Sequence, residues 1–205
     1  SLTYTKYKDR WKERTPDWKP NVYEKETDPI RAIYSRRADH IMQIGEEAPT
    51  AQPDLRPGQI VIKDLDGYVR DENGNPKVDE NGRFMLLGRP DGIIDEADTE
   101  LIGTLDPGWM ASMTNTFKYK GFDLNIMFNG MFDRIMQDPT EMDFGVNGGG
   151  IAQSGYNMLR TIKDRWTFDN PSTTRPSSYY ITGTNYTAGD FFYQKAWFIR
   201  LQNIS

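Results

Sequence analysis

Cysteine is absent from the 205 residues, and histidine occurs once, at His40. The first absence excludes a disulfide framework and thiol-ligated metals. The second excludes mechanisms that need a histidine cluster. An excess of positive charge is also missing: 30 acidic residues outweigh 25 basic ones and leave a net charge of −5. A chain with this balance is not built to attract nucleic acid. No apolar run reaches the ~20 residues of a membrane helix. Membrane strands stay open, because they alternate apolar and polar residues and average out as hydrophilic. The mean hydropathy of −0.74 is therefore neutral on that question. No nucleophile elbow, phosphate-binding glycine loop or zinc motif occurs, so the chain is read as a non-enzyme with no catalytic residues.

The clearest positive signal lies between Trp109 and Phe132. Phe122, Leu124, Ile126 and Phe128 alternate with Asp123, Asn125, Met127 and Asn129, a period of two that predicts a strand with one apolar face. Met110 to Tyr119 alternates as well. Lys120-Gly121 between the two arms predicts a tight turn, the glycine supplying a positive φ. Each arm has the ~9–11 residues of a tilted membrane strand. Leu2 to Tyr7 and Ala196 to Ser205 also read as strand; Trp197, Ile199 and Leu201 share one face of the latter, and Phe198, Arg200 and Gln202 the other. The connections are unequal. Long polar segments run from about 8 to 107 and from 133 to 195, and the turn between them is very short. Alternation of short turns with long loops is the habit of outer-membrane barrels, and compact soluble domains seldom carry two such long connections. The expected fold class is all-β, with antiparallel strands from the C-terminal part of a transmembrane β-barrel. Four strands cannot close a barrel, and both ends read as strand with no start methionine. The expectation is a piece of a longer protein, with any plug domain and signal peptide outside these residues.

Within the loops, Gln59 to Lys63 predicts a short strand. Leu159, Ile162 and Trp166 at helical spacing predict a short helix over 157–166, ended by a turn at Asp169-Asn170-Pro171. Gly148 to Gly150 reads as a bend. Two Asn-Gly signals between Asp71 and Phe84 predict one small surface hairpin. Trp109, Tyr156, Trp166, Tyr179, Tyr180 and Tyr186 are read as interface or loop-packing aromatics rather than sugar platforms. Asp64, Asp66, Asp91, Ile93 (through its carbonyl), Asp95 and Asp98 together look like a calcium loop, since alternating oxygen ligands suit a hard cation. The loop is interrupted by Gly67 to Pro90, and it ends in aspartate rather than glutamate. The bland reading is a solvated acidic turn with Asp95 and Asp98 capping a helical turn.

Five segments, in order, resemble the SusC/RagA family of TonB-dependent transporters. They are Pro57-Gly58-Gln59-Ile60-Val61-Ile62-Lys63-Asp64, Asp91 through Gly103, Tyr119-Lys120-Gly121-Phe122-Asp123-Leu124, Arg165-Trp166-Thr167 with Asp169-Asn170-Pro171, and Trp197 through Ser205. The Gly67–Pro90 insertion and the missing asparagine and glycine of the calcium-like run depart from the family pattern. The resemblance implies a barrel of about 22 strands, the size of plugged outer-membrane transporters. It also implies a SusD-like surface lipoprotein as partner, energy from the TonB complex through parts outside this chain, and oligosaccharide or peptide substrates. No cofactor is implied, calcium apart. Asp123, Asn125, Asn129, Arg200 and Gln202 are the expected lumen-facing residues, and no substrate-binding residue is assigned. A soluble, calcium-stabilised, carbohydrate-binding β-sandwich is the alternative.

Overall fold

In the computed structural model, residues 1–146, 155–178 and 189–205 are described. The predicted Gly148–Gly150 bend, Tyr179, Tyr180 and Tyr186 lie outside them. The fold is all-β and antiparallel, with about 9% helix. Ten strands occur among the described residues: β1 (Leu2–Lys6), β2 (Ala32–Arg36), β3 (Ala38–Ile41), β4 (Ile60–Ile62), β5 (Thr99–Thr104), β6 (Trp109–Tyr119), β7 (Phe122–Phe132), β8 (Ile135–Gln137), β9 (Tyr193–Lys195) and β10 (Phe198–Ile204).

The largest sheet has the order β1-β6-β7-β10. All its pairs are antiparallel, and neighbours in space follow one another through the chain once the loops are set aside. This is an up-and-down arrangement, open at both edges. The turn from β6 to β7 is the predicted one, with φ of 46° at Lys120 and 86° at Gly121. Gln202 forms a bulge where β10 pairs with β7.

The two long connections build a separate lobe, which holds the buried core. Ile41, Ile60 and Ile62 from the first connection pack with Val146, Trp166 and Phe192 from the second. Met42, Leu55 and Val61 form a second cluster on the other side of the same short strands. Three two-stranded sheets frame this lobe: β2-β5, β3-β4 and β8-β9. Gly58, with φ of 90°, passes directly under the Trp166 ring, where a Cβ would stand 2.5 Å from a ring carbon. Two of the sequence motifs thereby meet in space.

Several expectations are corrected here. The first long connection contains three strands, β2, β3 and β5, beyond the single one predicted. The helix expected over 157–166 is a 3₁₀ turn limited to Arg160–Asp164. Trp166 leaves it because its backbone N–H donates to the carbonyls of Arg175 (3.1 Å) and Pro176 (3.4 Å). Of the two roles expected for Trp166, interface or loop packing, it takes the second; it is 4% exposed, in the lobe core. A π-helical turn over Glu141–Val146 was not anticipated.

Candidate functional site

The register of the large sheet settles which side chains share a face. Leu2 and Tyr4 of β1 stand opposite Met113 and Ala111 of β6. Phe117 and Tyr119 stand opposite Leu124 and Phe122, and Met113 opposite Phe128. Ile199, Leu201 and Ile204 continue the same face against Gly130, Phe128 and Ile126. The face is apolar across all four strands apart from Asn115 and, at the loop end, Lys6. Among the described residues nothing covers it: Leu2 is 75% exposed, Phe122 80%, Phe117 56% and Leu201 49%. Contiguous apolar surface on this scale marks a face meant for lipid or another protein surface.

Aromatic rings border the face at both ends. At the loop end Tyr4, Trp109, Phe132 and Trp197 follow one another, one from each strand or its first flanking residue. Their centroids are 5.8, 3.8 and 6.3 Å apart in turn, and the last three rings are parallel within 6°. At the turn end Tyr119 and Phe122 form a pair, with the Lys120 ammonium 5.2 Å from the Tyr119 ring. Strands β6 and β7 are each 11 residues long. At a rise of ~3.4 Å per residue they span about 34 Å. Tilted by ~40°, that length matches an apolar band ~25 Å tall between two aromatic girdles.

The opposite face carries Thr3, Thr5, Ser112, Thr114, Thr116, Lys118 and the expected lumen set. Asp123, Asn125 and Asn129 lie on it together along β7, and Arg200 stands opposite Asn129. Asn129 donates from Nδ2 to Gln202 Oε1 at 3.1 Å, so the bulge keeps Gln202 on this side. Lys118 pairs with Asp123 at 3.3 Å. Met110, Met127 and Met131 also face this way, and with Thr3, Thr5 and Asn129 they line a depression of about 220 Å³.

The acidic residues form a knot at the edge of the lobe. The insertion between them closes on itself, Leu87 N–H donating to the Gly67 carbonyl at 2.8 Å. Asp64 is thereby returned to Asp91 and accepts from the backbone N–H of Asp91 (3.2 Å) and Gly92 (2.7 Å). Asp66 Oδ1 accepts from Gly67, Gly88 and Arg89. Asp91 accepts from the N–H of Ile93, so Ile93 enters through its amide. Asp95 caps a 3₁₀ turn, Glu96–Asp98, by accepting from Ala97; Asp98 Oδ2 reaches back to the N–H of Asp95, completing a capping box. Asp98 is fully buried, and its Oδ1 accepts from Leu65 and Asp66. Burial pushes its carboxyl above the usual range, against the pull of those amides. The residues of the expected calcium loop lie in one knot held by backbone amides, and the capping reading holds for Asp95 and Asp98. Even so, no group of three or more acidic or histidine side chains among the described residues is disposed to hold a metal ion. The sequence reading missed Arg70, whose guanidinium lies 3.3 Å from Asp95 and 4.0 Å from Asp91 and supplies fixed positive charge to the knot.

The insertion is a three-armed ring rather than one hairpin. Val69 N–H donates to the Met85 carbonyl, Met85 to Lys77, and Lys77 to Val69, all within 2.9 Å. Its two turns repeat at a spacing of eight residues: Asp71 Oδ1 accepts from Asn73 and Asn75, and Asp79 Oδ1 from Asn81 and Arg83. The repeated Asp-Glu-Asn-Gly run was the signal for this, and Gly74 and Gly82 take the positive φ each turn needs.

No protein-family model matches the chain, and no curated protein matches it. No described helix is long and apolar enough to cross a membrane, which says nothing of strands.

Proposed function

We propose that this chain forms part of the wall of an outer-membrane β-barrel. In this reading the barrel imports oligosaccharides or peptides by TonB-dependent transport, alongside a SusD-like surface lipoprotein. The observation that carries the wall reading is the four-stranded sheet with an uncovered apolar face, an aromatic border at each end and a polar reverse face. A soluble sandwich would lay a second sheet over the apolar face; the lobe here spends its apolar residues on its own core. The transport, substrate and partner parts of the reading rest on the five motifs that resemble the SusC/RagA family. Asp123, Asn125, Asn129, Arg200 and Gln202 then look into the lumen, and the lobe stands at the extracellular rim, because long loops face outward and short turns face the periplasm.

Cysteine is absent from these 205 residues, so a cysteine introduced here has no native neighbour in the sheet. Single cysteines at Phe128 and Asn129, neighbours on opposite faces, are placed in the membrane-inserted protein and exposed to a water-soluble maleimide. Asn129→Cys is expected to label and Phe128→Cys to stay protected until the membrane is dissolved. Equal labelling of both in intact membranes sinks the wall reading.

A further inference from the structure

We propose that the loop-end margin of the apolar face holds the headgroup of a phosphate-bearing lipid; this rests on the wall reading above. A cavity of about 740 Å³ opens where the aromatic row meets β5 and the β8-β9 ladder. Trp109, Phe132 and Trp197 give it a flat apolar border, continuous with the face along which acyl chains would lie. Lys195 and Arg134 also line it. Lys195 is exposed and stands opposite Ile135 in the ladder. Among the described residues neither cation is paired with a carboxylate. The Arg134 guanidinium rests against the sulfurs of Met131 and Met136, and its buried Nε finds no acceptor among the described residues.

A third cation without a carboxylate partner among the described residues, Lys6, is the register partner of Trp109 and so leaves the sheet on the apolar face. It borders a neighbouring cavity that shares Thr104 and Asp133 with the first. Asp133 is the one acid bordering the larger cavity, and its carboxyl lies against Gly108. The neighbouring cavity also carries Asp9, Asp28 and Asp106: Asp106 pairs with Arg31 at 3.1 Å, Asp28 accepts from Tyr34 Oη and the Lys25 N–H, and Asp9 accepts from the Ile30 N–H. Lysines set just beyond an aromatic border reach into the headgroup layer with their charge while their stems stay on apolar surface. Unpaired cations with an orphaned donor, next to a face that acyl chains can cover, match an anionic amphiphile in both charge and polarity.

The test uses the whole protein in phosphatidylcholine nanodiscs, with diphosphorylated lipid A, its dephosphorylated form and inorganic phosphate as probes. Native mass spectrometry reads the lipid retained after release into detergent. The diphosphorylated lipid is expected to be retained over the dephosphorylated one. At ~1 kcal/mol per cation near a charged lipid surface, Lys195→Ala is expected to weaken retention about fivefold, and Lys6→Ala with Lys195→Ala about 25-fold. Lys118→Ala, at the other end and on the other face, should change nothing. Equal retention of the two lipids, or unchanged retention in the double variant, overturns the proposal. Inorganic phosphate competing as well as the lipid overturns it too, since the cavity would then be a plain anion site. The Phe128→Cys label in the same samples keeps the two inferences apart. Protection without lipid discrimination removes the headgroup site alone; labelling removes the wall reading as well.

Discussion

The lobe and the four-stranded sheet answer the same question, where to put apolar side chains, in opposite ways. The lobe takes Ile41, Ile60, Ile62, Val146, Trp166 and Phe192 out of water by folding two remote segments onto each other. The sheet has long strands and complete internal pairing, yet leaves Phe117, Phe122, Leu201 and Ile204 more than 45% exposed. A sheet of that kind is unfinished in water. Its stability must come from something that covers the apolar face and pairs the open edges of β1 and β10. The lobe needs no such cover, so the two regions should respond differently to the same perturbations.

The largest difference is expected from Trp166→Ala. Emptying a 4%-exposed site in the lobe should cost about 3–5 kcal/mol. Gly58→Ala should act in the same direction, because it adds a Cβ against the same ring at a φ that L residues resist. The lobe transition, followed by near-ultraviolet circular dichroism, should move to lower temperature in both variants. Protease protection of β6 and β7 in vesicles should not change. Coupled loss of both signals would show that lobe and sheet fold as one unit.

Phe128→Arg tests the other side. A basic residue on the lipid face near the bilayer midplane costs about 2–4 kcal/mol in a membrane strand. Asn129→Arg, one residue on, should be nearly neutral because it stands on the polar face. Urea titration of the vesicle-bound protein should separate the two variants by that amount. Equal costs would end the two-faced description of the sheet.

How much of each region the sequence disclosed follows from how local its contacts are. The β6-β7 hairpin was legible because alternation and the Lys120-Gly121 turn sit within two dozen residues, and each partner is fixed by its neighbour. Strands β2 and β5 were not legible: Ala32–Arg36 pairs with Thr99–Thr104 across more than sixty residues, and neither alternates strongly. The helix over 157–166 failed for the same reason. Leu159, Ile162 and Trp166 fit one helical face, but Trp166 is claimed by the 175–176 backbone beyond the window and by Gly58 and Gln43, more than 100 residues away. The acidic knot was half legible. Alternating aspartates predicted that the carboxylates gather; that backbone amides and Arg70 would satisfy them needed the closed insertion, which no local pattern announces.

Arg70 gives a finer probe of the lobe. Arg70→Ala removes the guanidinium beside Asp91 and Asp95 and leaves both carboxylates without that cation. The lobe of this variant should gain several degrees in melting temperature on adding millimolar calcium, and the unaltered protein should gain less. An equal response in the two would show that Arg70 does not hold the place of a cation.

The smallest effects are those of pH, and they share a sign but fall in different windows for two groups in the lobe. Asp98 has a folded pKa raised above its ordinary 3.8, first by burial. The folded state therefore binds its proton more tightly than the unfolded state does. Its contribution to stability is most favourable below 3.8 and is lost as pH rises through the folded pKa. His40 is also raised, by the Asp39 and Glu46 carboxylates that its ring nitrogens meet at 2.9 and 2.5 Å. Its contribution is complete below 6.5 and fades as pH rises through the folded pKa. Asp98→Asn should lose stability at every pH, since Oδ2 is then replaced by an amide facing the Asp95 N–H. It should also flatten the acid side of the curve relative to the unaltered protein. His40→Gln should flatten only the region just above pH 6.5, by a small amount because the imidazole is 43% exposed. Melting curves of the two variants across this range, subtracted from the parent's, resolve the two windows. An Asp98→Asn difference curve of the opposite slope on the acid side would mean that amide hydrogen bonds to the carboxylate outweigh its burial, and the knot would then be stabilised by its charge.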